Sequence, residues 1–464
     1  MGLTASYITL GCKLNYSETS TYERGLVKKG FESVPWTEKA DLYIINTCSV
    51  TEHSDRKSRN IIRKIHRTAP NAHIVVTGCY AELKRDEIET IEGVSLVIGA
   101  NEKASLVGRA ASLFDIAANK PEIGVASKGD DNNVPSHEAA SGTIVGGRTE
   151  RQDREAVADK TEGTFAAYSD GGERTRAFLK VQDGCDNFCS YCTVPFARGR
   201  SRSISIDTAV SEARKIASTG VKEIVLTGVN TGDFGRKSGE SFFDLMKALD
   251  KIPGIERYRI SSIEPYLLTD EMIDWISSGT KFLPHFHIPL QSGCDTLLHD
   301  TGRRYDTEFF AAKIDYIRKR MNSSPSDVNP DGTRKPDVFL GIDVIVGLPG
   351  ESEEMFMQTY DFLKERIKPA FIHIFPYSRR SGTRAAARKD QVAESIKSER
   401  VARLEELCQR LHEEFITSQK GVRENVLFES KCSDGMIGGY TGNYIRVERT
   451  WEDGLAGTIQ EVIL

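Results

Sequence analysis

Three cysteines inside eight residues, Cys185, Cys189 and Cys192 in the run CDNFCSYC, constrain this chain more than any other feature. Thiolates at CxxxCxxC spacing suit three irons of a [4Fe–4S] cube. Such cubes are commonly held by four cysteines, so a three-cysteine loop leaves one iron open to a small-molecule ligand. Zinc also binds CxxC pairs. It needs a fourth ligand close by, and no Cys or His follows Cys192 within the next sixty residues. The spacing therefore favours a cluster.

Three more cysteines lie far apart yet share one local context. SYITLG leads into Cys12, LYIINT into Cys48, and HIVVTG into Cys79. Each apolar, partly β-branched run precedes a polar helical stretch, the signature of a parallel βαβ series. All three thiols then sit at carboxyl ends of parallel strands, the edge at which open α/β sheets bind ligands. One such cysteine alone reads as a small buried hydrophobe. The repeated position argues instead for a second three-cysteine cluster.

The chain of 464 residues exceeds what one hydrophobic core organises, so two to four domains are expected. A hydrophobic content of 39% with mean hydropathy of −0.38 leaves no run able to span a bilayer. The first residues, MGLTASYITLGCKLN, lack the charged and apolar regions of a secretory signal. Nine cysteines, an odd number, point to metal ligation in a reducing compartment and a cytoplasmic location. A net charge of −5 excludes indiscriminate nucleic-acid binding, so any RNA contact must use local basic patches.

Residues 1–115 read as an open parallel α/β domain, with helices over Asn15–Lys29 and Glu52–Arg67 and a fourth strand at Leu96–Gly99. Residues 116–174, rich in Gly, Asp, Ser and Glu, read as a linker or insertion. A second α/β series occupies 175–395. Its six strand-like runs are Ala177–Gln182, Lys222–Gly228, Arg257–Ile263, His285–Leu290, Val338–Val346 and Ala370–Phe375. Helical stretches such as Asp207–Thr219, Thr307–Arg320 and Glu353–Ile367 separate them, which predicts a partial (βα)6 barrel with its chemistry at the carboxyl-end mouth. A connecting helix at 396–418 precedes a small β-barrel at 419–464, built from VLFES, GYTGNYIRVE and AGTIQEVIL.

Within the barrel, polar residues recur at strand ends: Thr227, Gly228 and Asn230, then Ser261, Ser262 and Glu264, then Gly347 to Glu351. Glycine admits close backbone approach and a side-chain amide can hydrogen-bond a ligand. His285 and His287 share one strand face, and a histidine satisfied inside the core is the reading for each. Cys294, Cys408 and Cys432 read as structural thiols. Arg198, Arg200 and Arg202 follow the cysteine loop at spacing suited to phosphates, and Arg379, Arg380, Arg384 and Arg388 form a second basic run. The acidic tail leaves Lys431, Tyr444, Arg446 and Arg449 as its RNA-contacting candidates.

The CxxxCxxC loop, with Tyr191 just before its third cysteine, resembles the radical S-adenosylmethionine (SAM) superfamily. That resemblance implies SAM on the open iron of a [4Fe–4S] cluster and its reductive cleavage to a deoxyadenosyl radical. It places the amino group of SAM by Thr227, Gly228 and Asn230, its ribose and carboxylate by Ser261 and Glu264, and its adenine by Gly347. HIPLQSG, ending near Gln291, resembles a strand-turn lining the reaction chamber.

From Cys12 to the end, apart from the linker, the chain resembles the methylthiotransferases, with Cys12, Cys48 and Cys79 on an auxiliary [4Fe–4S] cluster and a TRAM domain for substrate recognition. NTCSVT, DRKSRNIIRK, VTGCYAE and CTVPFARGRSRS are most similar to the enzymes acting on N6-threonylcarbamoyladenosine at position 37 of tRNA. The alternatives are the isopentenyladenosine branch and the branch modifying a ribosomal-protein aspartate. A non-catalytic iron–sulfur electron carrier or RNA-binding protein is the reading outside catalysis. The resemblance implies a second SAM as methyl donor, an electron donor such as flavodoxin or ferredoxin, and a base splayed from the anticodon loop.

Overall fold

The computed structural model describes residues 2–114, 167–169, 175–322, 333–431 and 435–464. Cys432 and most of the 116–174 stretch lie outside them. The first sheet is five-stranded and parallel in the order β2-β1-β3-β4-β5, with β1 Thr4–Thr9, β2 Glu32–Ser33, β3 Leu42–Thr47, β4 His73–Gly78 and β5 Val94–Ile98. Every residue of β3 is buried, as a central strand covered on both faces requires. Helices α1 (Lys13–Val27), α2 (Glu52–Thr68) and α3 (Cys79–Leu83) each start just past a strand end. α2 is capped at Thr51, whose side chain accepts from the Ser54 N–H.

The second unit has six parallel strands: β7 (Arg176–Lys180), β10 (Glu223–Thr227), β11 (Arg257–Ile260), β12 (His285–Gln291), β13 (Phe339–Val346) and β14 (Phe371–Pro376). They form two sheets, β11-β10-β7-β6 and β12-β13-β14. The sheets adjoin where the Ile263 N–H donates to the His287 carbonyl at 3.1 Å. The expected partial barrel is therefore present, with its apolar core packed beneath the outer helices. β6 (Ala167–Tyr168) falls within the stretch read as linker, yet it pairs antiparallel with β7, and Ala167 is fully buried. Two short strands, β8 (Gln182–Asp183) and β9 (Arg202–Ser203), bracket the cysteine loop. Helix α4 (Val194–Arg198) follows that loop directly.

Helix α5 (Glu394–Ser418) packs on β14, and Cys408 on it accepts from the Ile372 N–H at 3.2 Å, a buried structural thiol. The tail is a four-stranded antiparallel sheet, β17-β16-β15-β18, from β15 (Arg423–Lys431), β16 (Met436–Thr441), β17 (Arg446–Thr450) and β18 (Ile459–Ile463). GYTGNYIRVE is not one strand. A tight turn splits it, held by the Ile445 N–H on Thr441 Oγ1 at 2.7 Å, with Tyr444 at φ +68°.

That turn gives Tyr444 a task other than RNA contact. Its ring lies 5.0 Å from His285 and 4.9 Å from Tyr440, with the Arg259 guanidinium 4.6 Å over it. Arg257 and Arg259 donate to tail carbonyls of Asn425, Tyr440 and Gly442. The tail thus closes the amino-terminal end of the half-barrel. Among the described residues no helix is long and apolar enough to cross a membrane.

Candidate active site

The loop after β7 and β8 gathers Cys185, Cys189 and Cys192 at the carboxyl end of the barrel. Gly184, at φ +70°, starts it; a Cβ there would lie 2.1 Å from the Arg200 carbonyl oxygen, so only glycine fits the turn. The N–H groups of Asn187 and Val194 each lie 3.5 Å from the sulfurs of Cys185 and Cys192, and Arg303 reaches Cys189 Sγ at 3.5 Å. Burial, then the neighbouring sulfurs, pushes the Cys192 thiol up to about 12 and Cys185 well above its ordinary value. Cys185 and Cys192, which hold their protons through burial and the repulsion of neighbouring sulfurs, need a cationic centre to release them.

Cys12, Cys48 and Cys79 come together as the strand order demands. Registers Thr9↔Asn46 and Thr47↔Gly78 align the ends of β1, β3 and β4. Gly11 (φ +95°) and Gly78 (φ +99°) precede two of the cysteines. A Cβ on Gly11 would stand 2.8 Å from Cys48 Sγ, and one on Gly78 would stand 2.2 Å from the Thr47 carbonyl oxygen. Burial and then the Cys79 thiol raise Cys48 to about 12, with Cys12 adding to it. All three sulfurs are within electrostatic reach of one another, and all six cysteines of the two sets are free of disulfides.

Arg198 joins the two sets instead of meeting phosphate. It is only 3% exposed and donates to Asn15 Oδ1 at 2.5 Å, Asp183 at 3.0 Å and Glu18 at 3.3 Å, while Asn15 approaches Cys12 Sγ at 3.9 Å. Lys103 and Lys180 close the network on Glu18 at 2.8 and 2.7 Å. Burial alone would raise Glu18, but Lys103, Lys180 and Arg198 outweigh it and hold this carboxyl far below its usual range. Arg202 is turned onto the Arg198 and Arg200 carbonyls, and Arg200 pairs with Asp186 at 2.7 Å. Arg380 is likewise buried, on Asp55 at 2.8 Å and Ser49 at 2.5 Å, and ties the β14 loop to the first domain. Arg198 and Arg202 read as phosphate contacts in the sequence because arginine is exposed by default.

A cavity of about 320 Å³ opens beside the loop, lined by Val50 and Thr51 after Cys48, Tyr191 and Cys192 of the loop, and Gln291 and Asp343 of the barrel. Comparison with known proteins agrees with this two-part arrangement. Residues 4–99 match the "Uncharacterized protein family UPF0004" and residues 179–363 the "Radical SAM superfamily". The chain is 36% identical to the threonylcarbamoyladenosine tRNA methylthiotransferase MtaB of Bacillus subtilis, over 99% of this chain and 93% of that protein. It is 34% identical to MtaB of Aquifex aeolicus, over 96% and 97%. It is 31% identical to the tRNA-2-methylthio-N(6)-dimethylallyladenosine synthase of Nitratidesulfovibrio vulgaris, over 91% and 85%. This chain belongs to the radical SAM tRNA methylthiotransferases. The solved radical SAM methyltransferase TsrM of Kitasatospora setae shares the fold, with a TM-score of 0.53 at 14% identity over 83% of this chain and 74% of that one.

Members of this family work with SAM and [4Fe–4S] clusters, and the two thiol sets fit such groups: soft donors in threes, N–H groups on the sulfurs, and glycine where a Cβ would obstruct. Beside the loop, Glu264 pairs with Arg303, accepts from Asn187 Nδ2 at 3.4 Å, and is raised by burial against the pull of Arg303. Asn230 anchors its N–H on Gln182 Oε1 at 2.9 Å and leaves a buried Oδ1 without a protein partner, as a ligand-facing amide would. Ser261 is buried at the end of β11. Gly228 packs on Gln182, and Thr227 turns inward to the Leu179 carbonyl. At Gly347 a Cβ would meet Lys397 Cγ at 2.3 Å, so α5 packs closely on this turn. Tyr191 packs with the buried Cys294, Leu297 and Tyr377.

Below the cavity the barrel lumen is polar. Gly341 lacks a side chain between β12 and β14, and His287 reaches across to Asp343 at 2.5 Å while its ring stacks on His373 at 4.6 Å. Ligand atoms of these three residues lie within 4.8 Å of one another. Burial, then His287, lowers His373 to about 4, so it is neutral near pH 7. Arg303, Asn187, Asp343 and His373 were invisible to motif reading, because none belongs to a short pattern and each meets its partner only through the fold.

Proposed function

We propose that this chain transfers a methylthio group to C2 of N6-threonylcarbamoyladenosine at position 37 of tRNA. The observation that carries the reading is one cavity lined by Cys192 of the three-cysteine loop and by Val50 and Thr51 just after Cys48, in a chain that is similar over nearly its full length to enzymes of that name. Cys185, Cys189 and Cys192 hold the cluster that binds SAM, and Cys12, Cys48 and Cys79 hold the auxiliary one. Bound there, these groups would supply radical chemistry at the C–H bond and the methylthio group that takes the place of its hydrogen.

The chain's own residues bind, orient and exclude water. Asn230, Ser261, Glu264 and Tyr191 orient SAM, with Gly228 giving its backbone room. Arg303 fixes Glu264 and sits on Cys189 Sγ, and the Tyr444 closure keeps bulk solvent from the lumen below. α2 starts at the chamber rim and carries exposed Arg56, Lys57, Arg63, Lys64 and Arg67, a row suited to the tRNA backbone. Arg446 of the tail is exposed and Arg449 half-buried, each held by a glutamate at 2.6 Å, and they supply further phosphate contacts. The electron donor is a small reductant protein such as flavodoxin or ferredoxin.

Mass spectrometry of tRNA nucleosides from a deletion strain tests the reading. Loss of methylthio-threonylcarbamoyladenosine, with recovery on complementation, is expected. Persistence of that nucleoside with loss of the isopentenyl analogue overturns the substrate assignment. Absence of 5′-deoxyadenosine from reconstituted, reduced protein overturns the enzyme reading itself.

A further inference from the structure

Lys13 is the first residue of α1 and directly follows Cys12. Its side chain is reached by solvent, yet Arg259 of β11, Arg176 of β7, Glu223 of β10 and Asp343 of β13 all act on its charge. Starting α1 at the mouth edge of the first sheet, Lys13 thus faces charges carried by four barrel strands and also acts on His285 and His373 of the lumen wall.

Each of those neighbouring charges has a partner of its own. Arg257 and Arg259 share Glu223 at 2.8 and 3.1 Å, Arg176 holds Glu429 at 2.5 Å, and Asp343 holds His287 at 2.5 Å. Lys13 has no hydrogen bond or ion pair among the described residues. A cation ringed by satisfied charges beside a reaction chamber is incomplete until an anion arrives. The rest of the lumen wall, His285, His287, His373 and Asp343, is polar and would leave an apolar substituent badly matched.

The threonylcarbamoyl group carries a carboxylate; an isopentenyl group carries none. Resting on the function proposed above, we infer that the Lys13 ammonium reads the carboxylate of the threonyl substituent and so selects this substrate. The contact fixes the substituent in the lumen and thereby sets the adenine C2 toward the two thiol sets. A site that supplies a matching charge for a substrate group rejects the analogue lacking that group much more strongly than an apolar pocket rejects an extra methyl.

The test uses reconstituted enzyme with SAM and three anticodon stem-loops: one with threonylcarbamoyladenosine at position 37, one in which a methyl replaces its carboxylate, and one with isopentenyladenosine. Wild type is expected to bind the first at least tenfold more tightly than the second. Lys13→Gln is expected to raise KM for the first loop at least tenfold with a smaller change in kcat, and to leave the second loop nearly unaffected. Lys13→Arg should retain most of the preference. Iron and sulfide content and the visible spectrum report cluster assembly in each variant. Equal binding of the first two loops by wild type overturns the inference even if Lys13→Gln fails to hold its clusters, and so does an equal loss on both loops in Lys13→Gln. Failure of wild type to act on the first loop, with turnover of an isopentenyl loop, would instead sink the proposed function.

Discussion

The two cysteine sets differ in how much of the fold each depends on. Cys185, Cys189 and Cys192 sit in one short loop whose own N–H groups face the sulfurs, and a local turn at Gly184 sets its course. Cys12, Cys48 and Cys79 come from three strand ends and meet only because β1, β3 and β4 pair in register. A loop site tolerates movement of the sheet around it; a site assembled across a sheet registers every shift of that sheet. Buried Arg198 bridges the two, with Glu18 and Asn15 on one side and Asp183 on the other.

The largest effects separate the sets outright. Cys189→Ala is expected to abolish 5′-deoxyadenosine formation, a loss of about a thousandfold or more, while the first domain keeps its iron. Cys48→Ala should leave deoxyadenosine formation detectable and remove methylthio transfer. Iron and sulfide content should fall from about eight of each to about four in both variants. Equal loss of both activities in Cys48→Ala would break the distinction between the sets.

A smaller effect sharpens it. Gly184→Ala would force a Cβ to 2.1 Å from a backbone oxygen, whereas Gly11→Ala would press on the side chain of Cys48 at 2.5 Å. Backbone cannot yield as a side chain can, and both positions have positive φ, so each costs about 1 kcal/mol or more. Gly184→Ala should misplace its whole loop and lower SAM cleavage at nearly unchanged auxiliary iron. Gly11→Ala should lower auxiliary iron first. Mössbauer spectra of the two variants, set beside deoxyadenosine yield, check the contrast.

Much of this arrangement was legible in sequence because its signals are local. Six apolar runs alternating with helical stretches announced the barrel, and the three short runs before Cys12, Cys48 and Cys79 announced the sheet. The network beneath the sets was not read, although it leaves a trace. Glu18 interrupts the buried face of α1 made by Leu14, Tyr22 and Leu26 at helical spacing, and Lys180 interrupts an apolar strand. A charge on a buried face requires partners, but those partners lie 85 and 162 residues away and no pattern names them. Arg198 and Arg202 were misjudged for the same reason, since only the folded chain brings Asp183 and the loop carbonyls to them. Tyr444 needed the φ +68° turn before its direction could be known.

The network offers the last tests of how firmly the two sets are joined. Arg198→Met leaves Glu18 and Asp183 buried with one cation fewer, and a broken buried pair costs about 3–5 kcal/mol, so a lower Tm with local loss at both sets is expected. Glu18→Gln should act less severely and with a pH signature. Because the folded state holds Glu18 far below its ordinary value of 4.5, its stabilising contribution is complete above that pH and is lost as pH falls below it. Wild type should therefore be more stable than Glu18→Gln at pH 7, and the gap should narrow steadily in denaturant titrations below about pH 4.5. A gap that stays constant into acid would mean that Glu18 is held by packing alone, and the joint between the two sets would then rest on Asp183 and Asn15.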